Sequence, residues 1–533
     1  MTSSGERPAP SRGSGRYAFL VGAGILLSRI SGLVRDRVFA HYFGLSAAAD
    51  AFKAALRIPN FLQNLFGEGV LSASFIPVYA GLLAHENKEE ARRTAGAVAA
   101  LLALTTSILV LIGVVGAPWL VYAIAAGFPP QTLDLTVRIV RILFPGVGLL
   151  VFSAWCLGVL NSHKRFFLSY SAGVIWNAAM IAAMLGWGKR SSQDQLAIIL
   201  AWGSVVGSAL QVGVQMPVVL RLLHGLHLSL SHRTNNVKTV VVNFFPVFIS
   251  RGVVQISAYV DGFLASWLPV GGVAALANAQ LLYTLPVSLF GMSVSAAELP
   301  QMSGAVGNEE QVAGALRGRL DAGLRQIAFF VLPSVVAFLV LGDVIVAAIY
   351  RTGQFTQDNV LYVWGILAGS TVGLLASTLG RLYSSAYYAL RDTRTPLRFA
   401  IIRVALTTIL GYFCAIPLPP LLGIERRWGA AGLTISAGVA SWIEFTLLRH
   451  TLNGRIGKTG ILKSYLAKLW LAALLAAAAG WGVHHLYSHH KPIPTAILVL
   501  GAYGVLYFAF TFALGLDEAR ALFARVLRLR RVS

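Results

Sequence analysis

Charge is what this chain of 533 residues has least of: Asp, Glu, Lys and Arg make up 12% of it, against 56% hydrophobic residues and a mean hydropathy of +0.70. That leaves no stretch polar enough for a sizeable soluble domain. Acidic residues are the scarcer kind, 21 against 43 Lys and Arg, for a formal net charge of +22. The basic residues lie scattered between apolar segments and are not gathered in one module, which argues against a nucleic-acid partner. Cysteine is nearly absent. Cys156 and Cys414 both lie in apolar stretches without CxxC or metal-ligand spacing, so no disulfide framework or thiolate metal centre is expected. There is also no phosphate-cradling glycine loop and no nucleophile placed with a base, so no enzyme, cofactor or metal is expected. The pairs His484-His485 and His489-His490 fall in a short loop that offers no second shell to fix a metal.

What the chain has instead is apolar length. Segments of about 20 residues or more, each able to cross a bilayer as a helix, recur throughout. Fourteen spans fit, at roughly 17–44, 48–83, 93–125, 136–160, 167–188, 195–220, 238–268, 272–303, 322–350, 358–389, 396–417, 428–448, 464–485 and 493–516. The fold class expected is an all-α polytopic membrane protein. Residues 1–16, rich in Pro, Gly and Ser, read as a disordered tail, and 517–533 as a basic tail. Lys and Arg crowd into alternate connections. The other side holds only Arg138, Lys189, Arg190, Arg351, Arg426, Arg427 and Lys491, so the positive-inside bias puts both termini in the cytoplasm.

An internal repeat underlies the spans. Ser28-Arg29 recurs as Ser250-Arg251, Pro59 as Pro286, Leu65-Phe66-Gly67 as Leu289-Phe290-Gly291, and Val147-Gly148-Leu149-Leu150 as Val372-Gly373-Leu374-Leu375, in the same order at nearly one offset. Six spans per copy is an even number, so the copies share one membrane orientation. The expected domains are two pseudo-repeated six-helix lobes, 17–225 and 236–450, around a central cavity, plus an additional helix pair over 460–516.

Against this apolar background the stretch 28–77 stands out, because it holds Arg29, Arg35, Asp36, Arg37, Asp50, Lys53, Arg57 and Glu68. An ionisable group at mid-bilayer costs roughly 3 kcal/mol or more, so such groups tend to mark a polar pathway. Asp50, Lys53, Arg57, Asn60, Asn64 and Glu68 step by three or four and share one helical stripe, and Arg29 and Asp36 share a face of the preceding helix. A cationic wall of this kind suits an anionic substrate, since guanidinium forks bind phosphate oxygens bidentately. The alternative for Arg37, Lys53 and Arg57 is anchoring at the membrane edge by snorkelling. Asp261 reads either as a coupling-cation ligand or as a proton-sensitive or merely hydrogen-bonded acid. Arg403 and Glu444, in successive spans, read first as a pair, and Arg381 as either structural or substrate-facing.

The pattern SRxxGxxRD at 28–36, followed by ADAFxxAxRIPNxxxxLFGEGxxSxxFIP at 49–77, resembles the lipid II flippases of the MurJ/MviN type. The resemblance covers essentially the whole chain. It implies a bacterial inner-membrane flippase of the multidrug/oligosaccharidyl-lipid/polysaccharide exporter superfamily, which moves undecaprenyl-pyrophosphate-linked peptidoglycan precursor to the outer leaflet by alternating access. It also implies membrane lipids and the cell-wall synthesis machinery as partners. By the same resemblance Arg29, Arg35 and Asp36 match cavity positions, Asp50, Arg57 and Glu68 the charged positions of the second span, and the last two spans border a groove for the polyprenyl tail. Lys53, Asn60 and Gln63 complete the candidate substrate-binding set with Arg251. Two departures stand out: Gln63-Asn64 replaces a basic pair common in the family, and Leu281 replaces an arginine. Either Arg251 substitutes for the missing charge, or it pairs with Asp261, which lies ten residues or about 15 Å along the helix. Another polyprenyl-linked glycan as substrate, or a polyprenyl-phosphate membrane enzyme, are the rival readings.

Overall fold

Every element among the described residues is a helix. The computed structural model describes residues 12–66, 68–225, 235–304, 308–487 and 491–530, with side chains excluded at 12–21, 59, 64, 68, 69, 235, 245–258 and 525–530. Most of the N-terminal tail, the side chains of Asn64, Glu68 and Arg251, and His489 and His490 therefore lie outside the described residues. The chain divides into two units, Met1–Tyr259 and Val260–Ser533.

Unit 1 opens with α1 (Arg12–Phe43), α2 (Ala47–Phe66), α3 (Glu68–Ser74) and α4 (Ile76–Ala84). Within the expected single span at 48–83 the helix is broken at Phe75, ahead of α4. Then come α5 (Lys88–Ala125), α6 (Pro130–Ser162), α7 (Phe166–Ser171), α8 (Gly173–Trp187) and α9 (Gln193–Leu222). α5 starts well before its apolar run because Asn87 caps it, its side chain accepting from the Glu90 N–H at 3.3 Å. The core of this unit gathers Phe75 just ahead of α4, Tyr79 of α4, Ala95 of α5 and Trp155 of α6. α10 (Asn235–Ala265) begins in unit 1 and ends in unit 2.

Unit 2 continues with α11 (Gly272–Pro286), one turn of π-helix (Val287–Met292) and α12 (Ser293–Ser303). The π turn contains Leu289-Phe290-Gly291, so in unit 2 the motif interrupts a regular helix. Next are α13 (Glu309–Val340), α14 (Gly342–Tyr350), α15 (Gln357–Ala389), α16 (Arg394–Ala415), a short α17 (Leu418–Leu421), α18 (Gly429–Ile456), α19 (Lys463–Tyr487), α20 (Pro492–Ala513) and α21 (Asp517–Arg530). α15 packs closely on α18 through glycines: a Cβ at Gly373 would stand 2.5 Å from the Gly438 Cα. In unit 1, α6 packs on α9 as α15 does on α18, and α8 on α9 as α16 does on α18.

Eleven helices among the described residues are long and apolar enough to cross a membrane. The other three expected spans fall on α2, which carries Asp50, Lys53 and Arg57, and on α1 and α10, whose side chains are partly outside the described set. α19 and α20 pack on each other and on α13 and α14. The contact with α13 has a specific cause. Pro333 lacks an N–H, which leaves the Phe329 carbonyl without its helical donor, and the buried Tyr507 hydroxyl supplies one at 2.6 Å. Tyr503 donates to the Pro333 carbonyl at 2.7 Å. Beside these helices an apolar cavity of about 280 Å³ is lined by Leu332, Val335 and Leu339 of α13, Leu375 of α15, Trp442 of α18 and Trp470 of α19.

Candidate functional site

The charged residues Arg35, Asp36 and Lys53 meet at the corner where α1 turns into α2. Gly44 takes a left-handed backbone (φ 55°) at the end of α1, and the Ser46 hydroxyl caps α2 by accepting from the Ala49 N–H at 3.2 Å. The tight turn brings Lys53 to Asp36, with Nζ 3.2 Å from Oδ1. Arg35 reaches the same carboxylate at 3.2 Å. Asp36 is almost fully buried, while the side chains of Arg35 and Lys53 keep 17% and 14% of their surface exposed. Two cations thus share one carboxylate, and the cluster carries a net charge of +1.

Neighbouring groups fix each cation. Arg35 donates to the Asn177 side-chain oxygen at 3.0 Å and lies 5.1 Å over the Trp176 ring. Asn177 donates in turn to the Ser31 hydroxyl at 2.9 Å, and Trp176 donates to Ser204 of α9 at 3.1 Å. Lys53 sits 4.8 Å from the centroid of Phe39, which stacks on Phe43. α1, α2, α8 and α9 therefore position one polar cluster inside an apolar unit.

The remaining candidates are spread around it. Arg29 is exposed and pairs with none of the described residues, so two positions that share a helical face, Arg29 and Asp36, have opposite surroundings. Asp50 is buried, Arg57 and Gln63 are half-buried and Asn60 is exposed. The Tyr259 hydroxyl donates to the Arg57 carbonyl at 2.7 Å, and its ring meets Phe61 edge-on. Exposure along the predicted stripe of α2 thus rises from Asp50 to Asn60. In unit 2, Asp261 and Leu281 are half-buried, and Arg403 pairs with Glu444 at 2.9 Å. Arg138 pairs with Asp134 one turn away, both well exposed. No metal-holding group of His, Cys, Asp and Glu occurs among the described residues. Sequence reasoning missed Trp176, Asn177 and Ser204. The available signal was Asn177 itself, an amide in an otherwise apolar span.

Comparison with known proteins places this arrangement. Residues 39–500 match the family model described as lipid II flippase MurJ. The chain is similar to a lipid II flippase MurJ of Burkholderia cenocepacia, 31% identical over 512 residues, covering 93% of this chain and 96% of that protein. In fold it is similar to a solved lipid II flippase MurJ in an inward closed conformation, with a TM-score of 0.76 and 24% identity over 94% of this chain and 99% of the other. It is also similar in fold to a multidrug resistance MATE family transporter of the MOP superfamily in an inward-facing conformation, with a TM-score of 0.61 and 17% identity over 82% and 98% of the two chains.

Proposed function

We propose, on the premise that this chain belongs to the lipid II flippase MurJ family, that it carries undecaprenyl-pyrophosphate-linked peptidoglycan precursor from the inner to the outer leaflet of the bacterial cytoplasmic membrane by alternating access. The family is one of transporters, so the chain is a multi-pass membrane transporter and not an enzyme. The observation that carries the reading of the substrate is the net cationic cluster of Arg35, Asp36 and Lys53 within membrane-spanning helices, with Arg29 exposed near it in sequence. An embedded positive charge is costly unless it meets an anion during the working cycle. A diphosphate supplies one.

In this reading Arg29, Arg35 and Arg57, with Arg251, bind the diphosphate, Asp36 and Asn177 hold Arg35 in place, and Lys53, Asp50, Asn60, Gln63 and Glu68 complete the polar wall. The chain has fourteen spans, two pseudo-repeated six-helix lobes and the α19–α20 pair, with both termini in the cytoplasm. The apolar cavity beside α19 supports a place for the polyprenyl tail. Return of the empty, net positive site is favoured by an inside-negative potential, since each charge crossing 100 mV is worth about 2.3 kcal/mol. Asp261 is proposed as an ion-coupling acid and the cell-wall synthesis machinery as partner.

The test is complementation in cells depleted of their own lipid II flippase, with the intact chain and Arg29→Ala at matched expression. Rescue by the intact chain alone is expected. Failure of the well-expressed intact chain would overturn the substrate assignment and turn attention, through Gln63 and Leu281, to other polyprenyl-linked glycans.

A further inference from the structure

Unit 2 holds a second set of charges inside its spans. Arg403 of α16 meets Glu444 of α18 as an ion pair, Nε to Oε2 at 2.9 Å, with the side chains 32% and 19% exposed. Arg403 meets no other described acceptor. Arg381 of α15 is exposed and pairs with none of the described residues. It lies close enough to Glu444 to act on it electrostatically, and both arginines act in the same way on Tyr283 of α11. The Tyr283 hydroxyl shares a 2.7 Å hydrogen bond with Ser377, one turn before Arg381.

The setting of these groups within apolar helices makes them costly. Arg381 lies eight residues from the end of α15 and Arg403 nine from the start of α16, or about 12 and 14 Å along those helices. A pair kept for packing alone has a cheaper replacement, because apolar side chains of similar volume leave stability unchanged or raise it. A pair kept for packing also needs no third charge. Here a second guanidinium, that of Arg381, acts on the same carboxylate, so the cluster is net cationic, with a phenol near it.

We propose that Arg381 and Arg403 form an oxyanion subsite within unit 2, oriented by Glu444, that takes a phosphate or carboxylate group of the transported head group. The subsite rests on the reading of the chain as a carrier of an anionic lipid-linked substrate. Glu444 acts as a positioning residue: its carboxylate holds the Arg403 guanidinium beside it. Arg381 supplies the second fork, and Tyr283 a hydroxyl donor.

The test uses the full chain in phosphatidylcholine nanodiscs, on an Arg29→Ala background that weakens anion binding in unit 1. Binding of inorganic pyrophosphate and of the undecaprenyl-diphosphate precursor is compared for that background, Arg381→Gln, and the double variant Arg403→Leu/Glu444→Leu, with discs containing phosphatidylglycerol as a further arm. Arg381→Gln is expected to weaken pyrophosphate and precursor binding about tenfold, and the double variant at least as much, with melting temperatures within about 2 °C of the parent. Unchanged binding in both variants would overturn the subsite, as would an effect confined to phosphatidylglycerol, which would make the cluster a bilayer-lipid contact. Loss of binding confined to variants that melt early, with Arg381→Gln normal, would reduce the pair to structure and overturn it as well. A chain that never translocates precursor but still loses pyrophosphate binding with Arg381→Gln would refute the flippase reading and leave the subsite standing.

Discussion

Removing Asp36 should injure this protein more than removing either of the cations it holds. Asp36→Ala leaves Arg35 and Lys53 together, mostly enclosed, with no carboxylate at 3.2 Å to balance them. Breaking a buried pair from one side costs about 3–5 kcal/mol, much of it the penalty of stranded charge. Lys53→Met removes the surplus cation and leaves the Arg35–Asp36 pair with Asn177 intact, so its cost is about 1 kcal/mol. At about 2–4 °C per kcal/mol for a unit of this size, Asp36→Ala lowers the melting temperature by about 6–20 °C. The double variant Asp36→Ala/Lys53→Met melts above Asp36→Ala alone, because one stranded charge is gone. The assay is thermal unfolding at fixed detergent in about 0.05 and 0.5 M salt, where the ranking holds because enclosed charges are poorly screened. Asp36→Ala within about 2 °C of the parent, or a double variant no better than the single, would refute the reasoning.

Other consequences follow from packing and protonation. Tyr507→Phe strands the Phe329 carbonyl that Pro333 cannot serve and costs about 1–3 kcal/mol. Tyr503→Phe costs less than about 1.5 kcal/mol, since the Pro333 carbonyl keeps its helical donor; thermal unfolding of the two variants ranks them. Gly373→Leu drives a side chain into the Gly438 backbone and costs about 3 kcal/mol or more. Gly454→Ala, on the same α18 with nothing within 4 Å, raises stability by about 0.5–1 kcal/mol; folded yield and melting temperature separate the two. His163 lies just beyond α6, 3.0 Å from the Tyr79 hydroxyl, and burial together with Arg165 holds its imidazole below the ordinary value. Its folded value is the lower one, so its share of stability is present above about pH 6.5 and is lost as pH falls through the folded value. A pH series of melting temperatures shows that loss in the parent and a weaker one in His163→Gln.

Hydropathy and spacing located the helices but not where they start, stop or break. α13 begins at Glu309, well before the apolar run expected at 322, because Asn308 and Gln311 close a capping box ahead of it. Its Asn308 cap stands in the second copy where Asn87 caps α5 in the first. Caps act through side-chain geometry that an apolar average does not register. The π turn at 287–292 falls on a repeated motif, so the sequence marked the position while leaving the conformation open. In the site, SRxxGxxRD identified Arg35 and Asp36 as unusual residues. It did not show that Asn177 and Trp176, some 142 residues on, would anchor Arg35, since a partner brought by tertiary packing has no spacing to read. The Lys53–Asp36 bond depended on the turn at Gly44, which is local. It was therefore legible in principle from the glycine and the following Ser46 cap.

The most direct test of the central claim is translocation itself. Purified chain is reconstituted into vesicles with a fluorescently labelled undecaprenyl-diphosphate precursor, and transfer between leaflets is followed by quenching, with and without an imposed inside-negative potential. The intact chain should move the label faster than protein-free vesicles and faster still with the potential, while Arg29→Ala, equally folded, should not. Transfer by Arg29→Ala at the intact rate, or none by a well-folded intact chain, would contradict the account.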